Sequence, residues 1–200
     1  RERSIVSSSL LLAPNRRYLQ EGDVELDALP DSPERWAEYD AVIIGDVLPG
    51  VFTLQQLENL REHIASRGAG LIWIAGPGAT PNAWFDTPLA DLLPVSASAG
   101  VVGPIGVSAD DPWPTDLSDP SAGWSILRWA QRIPGEAIKP AAEALAVSRP
   151  VVDEFAGESY PLVLSMRFGA GRVLYVATDE SWGWRYARGE ILPERFWVQM

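Results

Sequence analysis

The chain has 200 residues, 46% hydrophobic and 22% charged, which is enough apolar content for one domain with a full core and too little charge for disorder. Sixteen Lys and Arg against 27 Asp and Glu give a formal net charge of −11. That balance argues against nucleic acid, whose phosphates need basic partners, and against docking on an anionic membrane surface. With no cysteine, the chain has no disulfide, no thiolate nucleophile and no cysteine metal site.

No apolar run approaches the ~20 residues that cross a bilayer as a helix. The sequence opens at Arg1 rather than Met, which reads as a piece of a longer protein. In chain order, Ile5 to Leu12 is an extended apolar segment closed by Ala13-Pro14-Asn15, a predicted strand. Residues 15–30 alternate in charge without a period and read as a long irregular connection. Ser32-Pro33-Glu34 supplies a cap, a proline at the first helical position and an early acid, predicting a short helix to about Glu38. Tyr39–Asp46 is a continuous β-branched run of the kind found in parallel strands buried on both faces.

The next helix carries the strongest local signals. Thr53 and Gln56 make a capping box, Phe52 is placed to staple onto Leu57, and Leu54, Leu57, Leu60 and Ile64 form one stripe ended by Gly68 or Gly70. Leu71–Ala75 then reads as a second buried strand, completing a strand–helix–strand unit of right-handed crossover. Thr87–Leu93 is a short capped helix stopped by Pro94. Residues 95–123 read as loops and irregular β structure, Trp124–Gln131 as a short helix, and Ala141–Ala146 as either a helical turn or a strand. Leu162–Phe168 and Arg172–Thr178 flank Gly169-Ala170-Gly171 and predict a hairpin. Pro193 to Trp197 starts a helix. The nine Trp residues are scattered, as packing anchors usually are.

Tyr39–Asp46, the capped helix, and the run from Gly68 to Gly76 together resemble the class I glutamine amidotransferase-like superfamily. So do Thr87-Pro88-Leu89 through Val95, and Phe168-Gly169-Ala170-Gly171-Arg172-Val173-Leu174-Tyr175 leading into Asp179–Arg185. The pattern is most similar to an uncharacterised bacterial branch, related to trehalose-utilisation-type proteins, whose members are often joined to membrane-anchored or von Willebrand A-type segments. The resemblance covers roughly residues 39–95 and 160–200. It implies one α/β domain over 1–200: a flavodoxin-like, mostly parallel sheet with helices on both faces and a C-terminal β-hairpin, its first strand lying before Arg1.

Active members of that superfamily carry a Cys on the turn after the strand matching Leu71–Ala75, with a downstream His and Glu. Here the turn reads Ala75-Gly76-Pro77-Gly78, the one His is His63 within the preceding helix, and Thr178-Asp179-Glu180 stands where relatives have Gly-His. The triad is missing, so glutamine hydrolysis through a thioester is excluded for this chain. The resemblance implies a non-catalytic binding or interaction module of a larger envelope-associated protein, with a protein partner or further domains. No cofactor is implied.

Ligands of open α/β sheets bind beyond the carboxyl ends of the strands. Gly45-Asp46-Val47, Gly76-Pro77-Gly78 and Asp179-Glu180-Ser181 are expected to meet there. Asp46, Asp179 and Glu180 are then candidates to hold Mg²⁺ or Ca²⁺ or to act as a general base; the alternative is that they cap backbone and face water. Gly76 and Gly78 are candidate anion-binding donors through their N–H groups, or simply form a tight turn without the Lys-Ser/Thr of a phosphate loop. Trp182, Trp184 and Arg185 form a candidate stacking platform for a carbohydrate, peptide or partner, against the reading that the indoles cover the sheet end. A serine hydrolase finds no nucleophile elbow around Ser7–Ser9 and no His placed to activate Ser181. Three functions remain open: a binding module, a carboxylate- or metal-dependent hydrolase, and a structural oligomerisation domain, which would need an exposed apolar patch of interface size.

Overall fold

A computed structural model describes residues 5–12, 18–98, 100–102, 105–109, 126–151, 158–185 and 197. The chain opens with an antiparallel ribbon of β1 (Ser8–Leu12) and β2 (Tyr18–Gly22). β1 falls in the predicted apolar segment, whereas β2 lies inside the stretch read as irregular. Tyr-Leu-Gln-Glu-Gly has no alternation to announce a strand, and its backbone ladder with β1 makes it one. Beyond the ribbon's open end, Asp23 accepts hydrogen bonds from the Ser7 N–H and hydroxyl, both at 2.9 Å.

Helix α1 (Pro33–Trp36) begins as expected, with Ser32 Oγ accepting from the Arg35 N–H. Strand β3 (Ala41–Ile44) and helix α2 (Leu54–Arg67) follow. The capping box on α2 is complete: Gln56 N–H donates to Thr53 Oγ1 at 3.2 Å and Thr53 N–H to Gln56 Oε1 at 2.8 Å. Gly68 ends the helix in the left-handed region, with φ 79°. The buried stripe is Leu57, Leu60, His63 and Ile64, while Leu54 is 64% exposed. The buried face is therefore turned away from Leu54 and toward His63, which lies on the opposite flank of the stripe.

Strand β4 (Gly70–Ile74) pairs parallel with β3, as the strand–helix–strand reading requires. The remaining strands are β5 (Val101–Val102), β6 (Ile105–Ala109), β7 (Ala130–Gln131), β8 (Ala142–Pro150), β9 (Tyr160–Phe168) and β10 (Gly171–Val176). Among the described residues the main sheet has six strands in the order β3-β4-β10-β9-β8-β6. β3, β4 and β10 run parallel, and the pairs β10/β9, β9/β8 and β8/β6 are antiparallel. β5 and β7 form a separate two-stranded piece.

This overturns the flavodoxin-like expectation. The sheet is mixed rather than mostly parallel, and among the described residues there are two α-helices, one of them four residues long, rather than a layer on each face. Parallel neighbours need a long crossover, and antiparallel ones are joined by short turns. The helix-bearing crossover from β3 to β4 was visible in the sequence, but the antiparallel half depended on a region without a clear period. Ala142–Pro150 reads Ala-Glu-Ala-Leu-Ala-Val-Ser-Arg-Pro, poor in β-branched residues, and becomes a strand by pairing on both edges, with β9 and β6. Likewise Ala130–Gln131 is a strand and Leu127 an isolated bridge to Ile105, in a stretch read as a short helix. Thr87–Leu93 tightens to a 3₁₀ turn at Ala90–Leu92. The predicted C-terminal helix lies outside the described residues apart from Trp197, which packs against the core.

β3 corrects a second expectation. Its apolar run does not mark a strand covered on both faces: Ile43 is 60% exposed, and among the described residues β3 lies at the edge of the sheet. The predicted hairpin is present as β9 and β10, paired antiparallel from Gly171↔Phe168. Its turn docks on the end of α2, where Ala170 N–H donates to the Ala65 carbonyl at 2.7 Å. That carbonyl is one of the helix's last four, which have no acceptor role inside it. Gly169, at φ 59°, lies so close that a Cβ would come within 2.3 Å of the same oxygen.

The core is anchored by Trp73 and Trp84, both fully buried, with ring centroids 4.9 Å apart at an edge-on 67°. Trp73 donates its indole N–H to Leu92 O at 3.3 Å and Trp84 to Val47 O at 3.0 Å. Leu60, Ile64, Leu71, Leu89, Leu92, Leu93 and Tyr175 close around them.

Candidate functional site

Because β3, β4 and β10 are parallel and adjacent, their carboxyl ends finish side by side. Asp46 follows β3, the turn 76–80 follows β4, and Asp179 and Glu180 follow β10. The three sequence segments expected to meet do so, but each acid has a different setting.

Asp46 turns inward. Its Oδ2 accepts from Gly78 N–H at 2.7 Å, and its Oδ1 from Ala79 N–H at 2.6 Å and Thr80 N–H at 2.8 Å. The turn after β4 is thus an anion cradle built from the Gly78, Ala79 and Thr80 N–H groups, without that of Gly76, and the anion it holds is the protein's own carboxylate. Pro77, which has no N–H, sits just outside the donor run. The fit leaves no room for another side chain: a Cβ on Gly76 would lie 2.2 Å from Asp46 Cβ and Cγ, and one on Gly78 2.9 Å from Asp46 Oδ2.

A buried network seals the turn from behind. Thr80 Oγ1 donates to Gly45 O at 3.0 Å, and Gly76 N–H to Thr80 O at 3.3 Å. Gln131, 3% exposed, donates to Thr80 O at 2.6 Å and accepts from the Tyr175 hydroxyl. Burial, with a smaller contribution from the Asp46 charge, pushes the Tyr175 phenol up well beyond its ordinary range, so it stays a donor.

Glu180 also faces protein. It is 5% exposed and accepts from Arg128 through Nε, at 3.0 and 2.9 Å to its two oxygens, through an Nη, and through the Arg128 N–H at 3.2 Å. These bonds hold the Glu180 carboxyl below its ordinary range, the side-chain bond from Arg128 being the largest cause. The backbone beneath is pinned too: Glu180 N–H donates to Thr178 Oγ1 at 3.1 Å, which donates to Trp129 O at 2.9 Å. Arg128 itself leaves the pair outward. Its side chain is 77% exposed and its guanidinium carbon lies 5.9 Å from the Trp182 ring centroid. The indole of Trp182 is in a residue 49% exposed.

Asp179 is exposed, and its carboxyl sits above the ordinary range, first through partial burial and then through the Glu180 and Asp46 charges, with Arg128 opposing. Trp184 and Arg185 share the 3₁₀ segment Glu180–Arg185 with Trp182; the placement of their side chains lies outside the described residues. His63 is remote from this site. Its Nε2 lies 2.9 Å from Tyr39 O, which only accepts, so the ring proton belongs on Nε2.

Among the described residues, no group of three or more His, Asp or Glu side chains is arranged to hold a metal ion. Asp46, Asp179 and Glu180 share a sheet end without converging on one point. Arg128, Gln131, Thr80 and Tyr175 are the site residues that sequence reasoning did not single out. Arg128 and Gln131 sit in the stretch read as a helix, and no local signal ties either to residues some fifty positions away in the chain.

The described residues form a sheet-rich fold, a mixed sheet with one long crossover helix, and the comparisons speak to the fold alone. No family model matches the chain, and no curated protein matches it in sequence. Among solved structures, the cytoplasmic protein STM1381 of Salmonella typhimurium LT2 is similar over 98% of this chain and 94% of its own, with 19% identity and a TM-score of 0.63. The cytoplasmic protein STM3548 of Salmonella typhimurium matches over 96% and 95%, with 16% identity and a TM-score of 0.59. A β-galactosidase from Rahnella sp. R3 matches 81% of this chain but 23% of its own length, with 20% identity and a TM-score of 0.51. Identities this low show the fold alone. None of the three is named a glutamine amidotransferase, so that reading gains no support from them. Among the described residues, no helix is long and apolar enough to cross a membrane.

Proposed function

We propose that this chain is a non-catalytic binding module whose ligand-facing surface is the common end of β3, β4 and β10. One observation carries the reading: the turn after β4, where a strand-end enzyme would present its reacting groups, is closed around Asp46 by three backbone N–H donors. Glu180 is likewise occupied, by Arg128. A catalytic carboxylate needs a free oxygen within reach of substrate, and neither residue offers one without dismantling the turn or the ion pair. The absence of Cys removes the thiol route as well.

A competing reading makes Asp179 a general acid–base, because its carboxyl is exposed and held above the ordinary range. The two separate in one experiment. The purified chain is assayed on reporter amides, esters, phosphate esters and glycosides, beside Asp179→Asn. The binding-module reading expects no turnover above a buffer blank. Turnover that disappears in Asp179→Asn would replace it with the enzyme.

A further inference from the structure

We infer that Trp182, Arg128 and Asp179 form a subsite for a neutral saccharide. The inference rests on the binding-module reading and names the ligand class of that same surface. Three kinds of contact stand together at the exit of β10. The first is an aromatic surface, the half-exposed indole of Trp182. The second is a planar donor set: Arg128 gives Nε–H and an Nη to Glu180, and its other N–H groups lie on a side chain 77% exposed. The third is an acceptor, the exposed Asp179 next to Glu180 in the chain.

The pair below the surface matters as much as the surface. Long Arg side chains lose much rotamer freedom when a ligand fixes them. Here Glu180, 5% exposed and held from behind by Thr178 and the Arg128 backbone, fixes the guanidinium beforehand beside the indole. An exposed arginine held this way is preorganised for hydrogen bonding rather than for charge.

Charge selects among ligands. Glu180 compensates Arg128, Asp179 adds a negative charge, and the chain as a whole carries −11. An anionic ligand or a nucleic acid meets repulsion. A cation seeking the indole meets the guanidinium already beside it. A neutral sugar ring has the remaining combination: a C–H face for the indole and vicinal hydroxyls that accept from a guanidinium and donate to a carboxylate. An apolar peptide side chain would use the indole but leave Arg128 and Asp179 desolvated without partners.

The test is titration calorimetry of the intact chain with neutral gluco-, galacto- and manno-tetrasaccharides up to millimolar concentration. Tryptophan emission and product analysis are followed in the same samples. Binding of at least one neutral saccharide is expected, weakened about tenfold or more by Trp182→Ala and clearly weakened by Arg128→Lys, which keeps the charge but loses the planar fork. Trp182→Phe should recover part of the loss, and a thermal unfolding midpoint of Trp182→Ala close to wild type separates lost contact from a folding defect. Saccharide binding indifferent to Trp182→Ala would overturn the subsite while leaving the binding-module reading intact. So would a peptide-array ligand lost in Trp182→Ala with no saccharide bound, and so would no saccharide binding at all. Cleavage of a bound saccharide would instead overturn the non-catalytic reading and leave the subsite standing.

Discussion

The exits of β4 and β10 are neighbours in the sheet, β4 running into Ala75-Gly76-Pro77-Gly78 and β10 into Ala177-Thr178-Asp179-Glu180, and each meets an internal carboxylate, yet they end oppositely. At β4 the chain folds back over Asp46, giving three backbone donors of the turn to an internal carboxylate. At β10 the internal carboxylate, Glu180, is used to prop an arginine outward beside a half-exposed indole. A carboxylate facing backbone N–H groups makes a closed, rigid corner; one facing a long cation makes a presented surface. The partner, rather than the acid, sets the role.

The largest effect that can break this comparison is at Gly76. In Gly76→Ala the new Cβ must displace Asp46, from which it would stand 2.2 Å, at a cost of about 3 kcal/mol or a Tm drop of roughly 6–12 °C. Combined with Asp46→Ala the obstructing atoms are reduced, so the double variant should lose less than the two single losses added together. Strict additivity in denaturant unfolding would mean that the clasp does not hold the turn. Asp46→Ala alone is expected to cost about 2–4 kcal/mol by leaving three backbone donors without their acceptor.

Tyr175→Phe comes next. It deletes the hydroxyl that serves Gln131 Oε1 in a fully buried place, and about 1–2 kcal/mol should be lost in chemical denaturation. A wild-type midpoint would show that the sealing network is dispensable.

The β10 exit is sharpened by pH. The folded carboxyl of Glu180 lies below its unfolded value, so its contribution is present above that value and is lost as pH falls through the folded one. Glu180→Gln should therefore be less stable than wild type near neutrality and converge toward it in acid, as pH falls through the lowered folded value. Parallel stability curves from neutral to acidic pH would remove the Arg128–Glu180 pair from the account. Asp179 has the opposite sign. Its folded carboxyl lies above its unfolded value, so the folded state binds the proton more readily and stability falls as pH rises through that window. Asp179→Asn should raise neutral-pH stability slightly, by well under about 1 kcal/mol because water screens an exposed group. A measurable loss would mean that Asp179 has a structural partner.

Local signals announced the elements that carry their own chemistry. Thr53 and Gln56 marked the start of α2 and Gly68 its end, Ser32-Pro33 marked α1, and Gly169-Ala170-Gly171 marked the hairpin. That Asp46, Gly76–Gly78 and Asp179–Glu180 lie at one end of the sheet was readable too, because parallel adjacent strands put their exits together. What the acids do there was not readable. Asp46 and Glu180 look equivalent in sequence, and their difference lies in residues 32–34 and 52 positions away. The resemblance to a flavodoxin-like family misled at the sheet's other half. It extended the pattern of the β3–α2–β4 unit to residues whose pairing is antiparallel.

By itself, then, the amino-acid sequence determined the acidic character, the lack of any thiol chemistry, the long capped helix, the strands on either side of it and the terminal hairpin. Each of these depends on composition or on interactions within a few residues. Only the tertiary structure decided that β3 lies at the edge of the sheet among the described residues, that weakly patterned segments such as Tyr18–Gly22 and Ala142–Pro150 are strands, that the glycine turn holds Asp46, and that Arg128 is aimed outward by Glu180. Those outcomes are set by hydrogen bonds between distant parts of the chain, where a backbone donor or a buried carboxylate takes whichever partner the fold brings within reach.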